Sequence, residues 1–100
     1  MYNYFLSKEA KEDLRRIYYY YYYYYYYYYG VGKFGVNQAD SYFSMFYDCF
    51  DRIEENPFLS PSADHIRKGY RYCVCGVDTI YYQIIDKRIE IITIIGRQDF

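Results

Sequence analysis

Basic side chains crowd one short stretch of the chain: His65, Arg67, Lys68 and Arg71, with Arg97 adding a further cation near the C-terminus. Guanidinium and ammonium groups this close could hold a phosphate, or stabilise the pentavalent transition state of RNA cleavage. The same cations could form surface pairs with Asp64 or Asp99, or anchor an acidic partner. The local sequence leaves all three readings open.

The other chemical motifs weaken in context. Gly30-Val31-Gly32-Lys33-Phe34-Gly35 matches the Gly-x-Gly-x-x-Gly fingerprint that lets a backbone approach a pyrophosphate. That fingerprint must follow a strand inside a parallel βαβ unit, whereas here it follows one helical pattern and leads into another. It reads as a helix-hairpin turn whose glycines permit positive φ. Cys73 and Cys75 share one face of a strand, and His65 is the sole histidine. Tetrahedral zinc needs four ligands at wider pair spacing, and Cys49 sits beside an apolar helix stripe far from a base. No metal, cofactor or catalytic residue is expected. Three cysteines and no secretory leader point to buried or half-buried thiols in a cytoplasmic protein.

Whatever chemistry exists must be positioned by one small domain, because the chain has 100 residues. Apolar residues make up 53% of it, enough for a core, and no apolar run approaches the length of a membrane span. With 12 basic and 13 acidic side chains it lacks the positive surplus of a nucleic-acid binder, so no sequence-specific nucleic-acid contact is expected.

Tyr2 to Leu6 is aromatic and apolar and reads as a strand, and Ser7 suits a helix N-cap. Ala10, Leu14 and Ile17 then recur at helical spacing. A second helix carries Ala39, Tyr42, Phe43, Phe46, Phe50 and Ile53 on one stripe, with Asn37 as its expected cap and an end before Pro57. Tyr70 to Cys75, Thr79 to Ile85 and Arg88 to Ile95 read as three strands of an antiparallel meander joined by hairpin-sized turns. Both faces of the last two strands are partly apolar. Ile80, Tyr82 and Ile84 oppose Tyr81 and Ile85, while Ile89, Ile91 and Ile95 oppose Ile92 and Ile94. A thick core would explain this, as would a partner surface on the second face.

One segment fits no such pattern: residues 18–29 are an unbroken run of tyrosine. Lengthening the first helix by that run places tyrosines all round a shaft, where middling helix propensity needs packing or self-association to support it. The tract reads as an expansion or an artefact at the helical hairpin.

In order and spacing, the chain resembles the RelE/ParE superfamily of toxins from type II toxin-antitoxin systems, and its ParE branch most. The resemblance is carried by Leu6-Ser7, Ala10, Asp13-Leu14 and Ile17, then Tyr20, Phe34-Gly35, Gln38-Ala39 and Tyr42. It continues through Asn56-Pro57, Ile66-Arg67, Gly69-Tyr70-Arg71, Ile80-Tyr81-Tyr82 and Ile89-Glu90-Ile91, and on from Ile94 to Asp99. Asp13 to Gly35 spans 22 positions, about nine more than the resemblance implies. Nine residues make about 2.5 helical turns, so the hairpin tip must absorb them.

The resemblance implies an α+β fold of order β-α-α-β-β-β, an antiparallel sheet packed against a helical hairpin. It implies a growth-inhibiting bacterial toxin that binds DNA gyrase and traps its cleaved complex without catalysis, neutralised by a ribbon-helix-helix, ParD-like antitoxin. The alternatives are a ribosome-dependent mRNA endonuclease, as in the RelE branch, or an inactive antitoxin-binding member. Thr79 stands where the nuclease branch commonly carries arginine, and no tyrosine or histidine follows Arg97. Target contacts are expected at Lys33, Phe34 and Gly35, at Arg67 and Arg71, and at Arg97, Gln98, Asp99 and Phe100. Antitoxin contacts are expected at Ile80, Tyr82, Ile84, Ile92 and Ile94.

Overall fold

The structure, a computed structural model, describes residues 1–29 and 32–96, with the side chains of all of these except 25–29 and 32–36. The chain runs β1 (Asn3–Leu6), α1 (Lys8–Tyr29), α2 (Gly32–Glu55), β2 (Tyr70–Cys75), β3 (Asp78–Ile85) and β4 (Arg88–Gly96). This is the expected α+β order, with both helices on one face of the sheet.

Ser7 starts α1 as a true N-cap. Its hydroxyl accepts the Ala10 amide at 2.9 Å and donates to the Ile92 carbonyl at 2.7 Å, so one side chain both caps the helix and ties it to β4. The tyrosine tract continues α1 to Tyr29. Tyr18 donates to Asp40 of α2 at 2.9 Å, and the Tyr21 ring lies 4.1 Å from that of Tyr42, so part of the tract packs between the helices. Tyr19 and Tyr20 stack outward on Tyr23 and Tyr24, one helical turn on.

α2 begins at Gly32, five positions before the expected cap Asn37. Gly32 and Gly35 are therefore helical, and the connection between the helices is shorter than the glycine motif implied.

The sheet order is β1-β4-β3-β2. The meander is antiparallel as expected, but β1 pairs parallel with β4, Leu6 lying opposite Ile91. No hairpin joins these two strands, so connectivity does not force them antiparallel. The parallel ladder is fixed by the Asn3 amide on Lys87 at 3.2 Å and the Ser7 amide on Ile91 at 2.9 Å.

The core lies between the sheet and the hairpin. Leu14 and Ile17 of α1 and Phe46, Phe50 and Ile53 of α2 meet Ile80, Tyr82, Ile89, Ile91 and Ile94 of the sheet. Each large side chain buried there contributes about 1.5–3 kcal/mol. A β-bulge shapes this face: Tyr81 pairs with Thr93 but Tyr82 with Ile91, leaving Ile92 as the extra residue. Side-chain parity flips beyond it. Ile94 joins Ile89 and Ile91 in the core, and Ile95 turns away, the reverse of strict alternation.

The cysteines also depart from expectation. Cys49 of α2 and Cys75 of β2 are joined as a disulfide with Cα atoms 6.4 Å apart, leaving Cys73 as the free thiol. They are neighbours only through the packing of α2 on β2, which a separation of 26 positions does not reveal.

Candidate functional site

The basic cluster divides once folded. Arg71 is half-buried on β2, opposite Tyr82. Its Nη1 donates to the carbonyls of Ser60 at 2.7 Å and Phe58 at 3.3 Å, and the guanidinium lies 5.2 Å from the centre of the Phe58 ring. Beside it, the Tyr82 hydroxyl donates to the Pro57 carbonyl at 2.6 Å, and burial pushes that phenol's pKa up. Arg71 and Tyr82 thus clasp the loop that follows α2 and hold it over the outer edge of β2. There Ala63 and Tyr72 donate to the Tyr70 and Pro61 carbonyls.

Arg67 and Lys68 are exposed in the next turn. The Asp64 carboxylate accepts the Gly69 amide at 2.8 Å. That amide, and next the Ser62 hydroxyl, hold its pKa below the usual carboxylate range. Gly69 has φ 91°, a conformation that disfavours any other residue, and lets the loop turn into β2. A shallow depression of about 340 Å³ lined by Ser62, Asp64, Lys68, Tyr70 and Arg71 results, with mixed charge rather than a purely cationic lining. Among the described residues no group of histidine, cysteine or acidic side chains could hold a metal ion.

The other expected target residues are not brought to this cluster by anything described. Lys33, Phe34 and Gly35 form part of the first turn of α2, with side chains outside the described residues. Arg97, Gln98, Asp99 and Phe100 lie outside the described residues altogether.

The expected antitoxin surface requires correction. Ile80, Tyr82 and Ile94 are fully buried beneath the helices and present no surface to a partner. The physical reason is the helix pair, which covers the middle of that face, together with the bulge that turns Ile94 inward. Ile84 and Ile92 are half-buried. Apolar groups on the helix-free face are instead Phe5, Val74, Ile85 and Ile95, all substantially exposed, beside the half-buried pair Tyr72 and Tyr81.

A second surface escaped the sequence reading. An open groove of about 440 Å³ runs between α1 and α2, lined by Leu6, Leu14, Tyr18, Tyr19, Phe43 and Tyr47, with Lys11, Arg15 and Asp40 also on its lining. Phe43 and Tyr47 stand one turn apart on α2, ring centres 5.2 Å apart. Phe43 at the margin of the apolar stripe, with Tyr47 one turn on, was the available signal. No described helix is long and apolar enough to cross a membrane.

The described residues thus form a helical hairpin on one face of a four-stranded sheet, with an aromatic groove between the helices and a clasped loop after α2. Its sequence matches the family described as "ParE toxin of type II toxin-antitoxin system, parDE" over residues 4–99. Toxin ParE1 of Caulobacter vibrioides is 30% identical over 92 residues, covering 92% of this chain and 85% of that one. Toxin ParE1 of Mycobacterium tuberculosis is 30% identical over 81 residues, covering 81% of this chain and 74% of its own. The solved structure titled "Chromosomal ParDE TA system from P. aeruginosa" shares the fold, with TM-score 0.74, 15% identity and 96% coverage of both chains. The chain belongs to the ParE toxin family. It is a toxin of a type II toxin-antitoxin system.

Proposed function

We propose that this toxin inhibits DNA gyrase by binding, prefers the DNA-cleaved state and so raises its population by the difference in affinity. The family match across residues 4–99 carries this reading. The role of Arg71 supports binding over catalysis: a guanidinium committed to two carbonyls and a phenyl ring is poorly placed to follow charge developing on a phosphate. Arg67, exposed beside Lys68, is an available cation on that side. The hairpin tip at Lys33 to Gly35 and the tail from Arg97 to Phe100 supply the remaining target contacts.

The antitoxin is a ribbon-helix-helix, ParD-like protein whose C-terminal segment covers the groove between α1 and α2, where apolar side chains floor a surface edged by Lys11 and Arg15 on α1 and by Asp40 on α2. An acidic amphipathic segment matches it. The toxin works in the bacterial cytoplasm, where both partners are found.

Induction in growing bacteria tests the reading. Growth arrest with chromosomal breaks, relieved by the antitoxin, is expected. Arrest with cleaved ribosome-bound transcripts and intact DNA would move the assignment to an mRNA endonuclease. Tight antitoxin binding without arrest would make the chain an inactive member.

A further inference from the structure

Cys49 and Cys75 are each about 1% exposed, and they meet where α2 crosses the end of β2. Two non-covalent ties secure the same joint. The Tyr42 hydroxyl donates to buried Asp78 at 2.5 Å. Met45 packs so closely on the β2–β3 turn that a Cβ on Gly76 would meet its methyl at 2.8 Å. The third thiol, Cys73, is half-buried two positions earlier on the same face of β2.

We propose that Cys49 and Cys75 form a reversible thiol-disulfide couple, a covalent modification site that clamps α2 to the end of β2 when oxidised. The inference is independent of the toxin's target and rests on the cytoplasmic location proposed above. Its oxidant is a small-molecule disulfide of the glutathione class. One cysteine thiolate attacks a sulphur of that disulfide and expels one small thiolate. The second cysteine thiolate attacks the mixed disulfide on the protein and expels the other. The protein gives up two electrons and two thiol protons to form one S–S bond, and the small disulfide is reduced to two thiols.

Three features make this a switch rather than a fixed staple. In reducing compartments disulfides are transient and serve redox sensing. The Tyr42–Asp78 bond and the Met45 contact hold the joint when the bridge is open, so the reduced chain keeps its fold. Both sulphurs are enclosed, so exchange requires the joint to open, and the closed bond in turn resists that opening.

The full chain carrying Cys73→Ser, which removes the competing thiol, is equilibrated anaerobically with oxidised or with reduced glutathione and then unfolded in N-ethylmaleimide. No label on the oxidised sample and a label on both Cys49 and Cys75 of the reduced one is expected, by intact mass. The oxidised sample is expected to melt about 10 °C or more above the reduced one, both showing the same helical signal at 25 °C. A further Cys49→Ala change should make melting independent of glutathione. Labels on both cysteines under both conditions, or equal melting temperatures, would overturn the proposal. So would a reduced chain without helical signal, because the bond would then be a requirement for folding.

Discussion

The carboxylate of Asp13, on the second turn of α1, accepts the backbone amide of Ile94 at 3.0 Å. The same oxygen accepts the Thr93 hydroxyl at 2.7 Å, so an acidic side chain of the helix pairs with β4 just past the bulge, where β1 has ended. Its other oxygen takes Arg16 at 2.9 Å. Helix docking and strand register are thus one interaction, and Asp13→Ala is expected to cost about 2–3 kcal/mol in urea unfolding. Arg16→Ala, which removes an exposed ion pair, should cost less than about 1 kcal/mol. Equal losses would mean that the bonds to Thr93 and Ile94 contribute little.

The bulge assigns neighbouring isoleucines to opposite faces. Ile94→Ala is expected to destabilise by about 2–5 kcal/mol, as for a buried aliphatic side chain. Ile95→Ala, at a residue 41% exposed, should change stability by less than about 1 kcal/mol. The reverse ranking, measured by denaturant melts, would place the helices on the other face beyond Ile92.

Tyr42 gives an alkaline signature. Burial first, and then its bond to Asp78, raise the folded-state pKa of the phenol well above its ordinary value. The folded chain therefore holds this proton more tightly than the unfolded chain. The resulting stability is fully present below the unfolded pKa of about 10 and is lost as pH rises above it. Tyr42→Phe should lower stability by about 1–2 kcal/mol at neutral pH and flatten the decline between about pH 9.5 and 11. Parallel declines for both chains would contradict the assignment.

The readable parts of the sequence were those fixed by local periodicity and caps. Ser7, the three strands from Tyr70 onward, each to within one residue, and the stripe through Phe46, Phe50 and Ile53 all follow from spacing. What was illegible depends on tertiary packing. Strict alternation places Ile94 and Ile95 on the wrong faces, because nothing in the pattern marks Ile92 as the extra residue. Arg71 looked available because its partners, the Phe58 and Ser60 carbonyls, belong to backbone rather than to a complementary side chain. The groove between α1 and α2 exists only once both helices are placed, and the pairing of Cys49 with Cys75 likewise.

Arg67 and Arg71 should separate in a mutational test. Arg67→Ala is expected to leave stability within about 0.5 kcal/mol and to weaken gyrase trapping. Arg71→Ala should release the loop from Phe58 to Ser60 and cost about 1–3 kcal/mol of stability. Trapping by Arg67→Ala at the level of the parent chain would remove Arg67 from the target surface.

In the groove proposed for the antitoxin, Tyr47→Ala is expected to weaken antitoxin binding by about tenfold or more, since partly exposed aromatic anchors dominate such contacts. Fold stability should fall by less than about 1 kcal/mol. Unchanged affinity in a calorimetric titration would place the antitoxin elsewhere, with the helix-free face around Val74 and Ile95 the next surface to probe.

Plasmid cleavage by purified gyrase with ATP reads gyrase trapping without intermediary. The assay uses this chain beside a version lacking nine of the tyrosines at 18–29. Linear DNA released on protein denaturation is predicted, and any difference between the two versions measures what the longer hairpin does to the toxic surface. Intact plasmid with undiminished supercoiling, from both versions in folded form, would contradict the account.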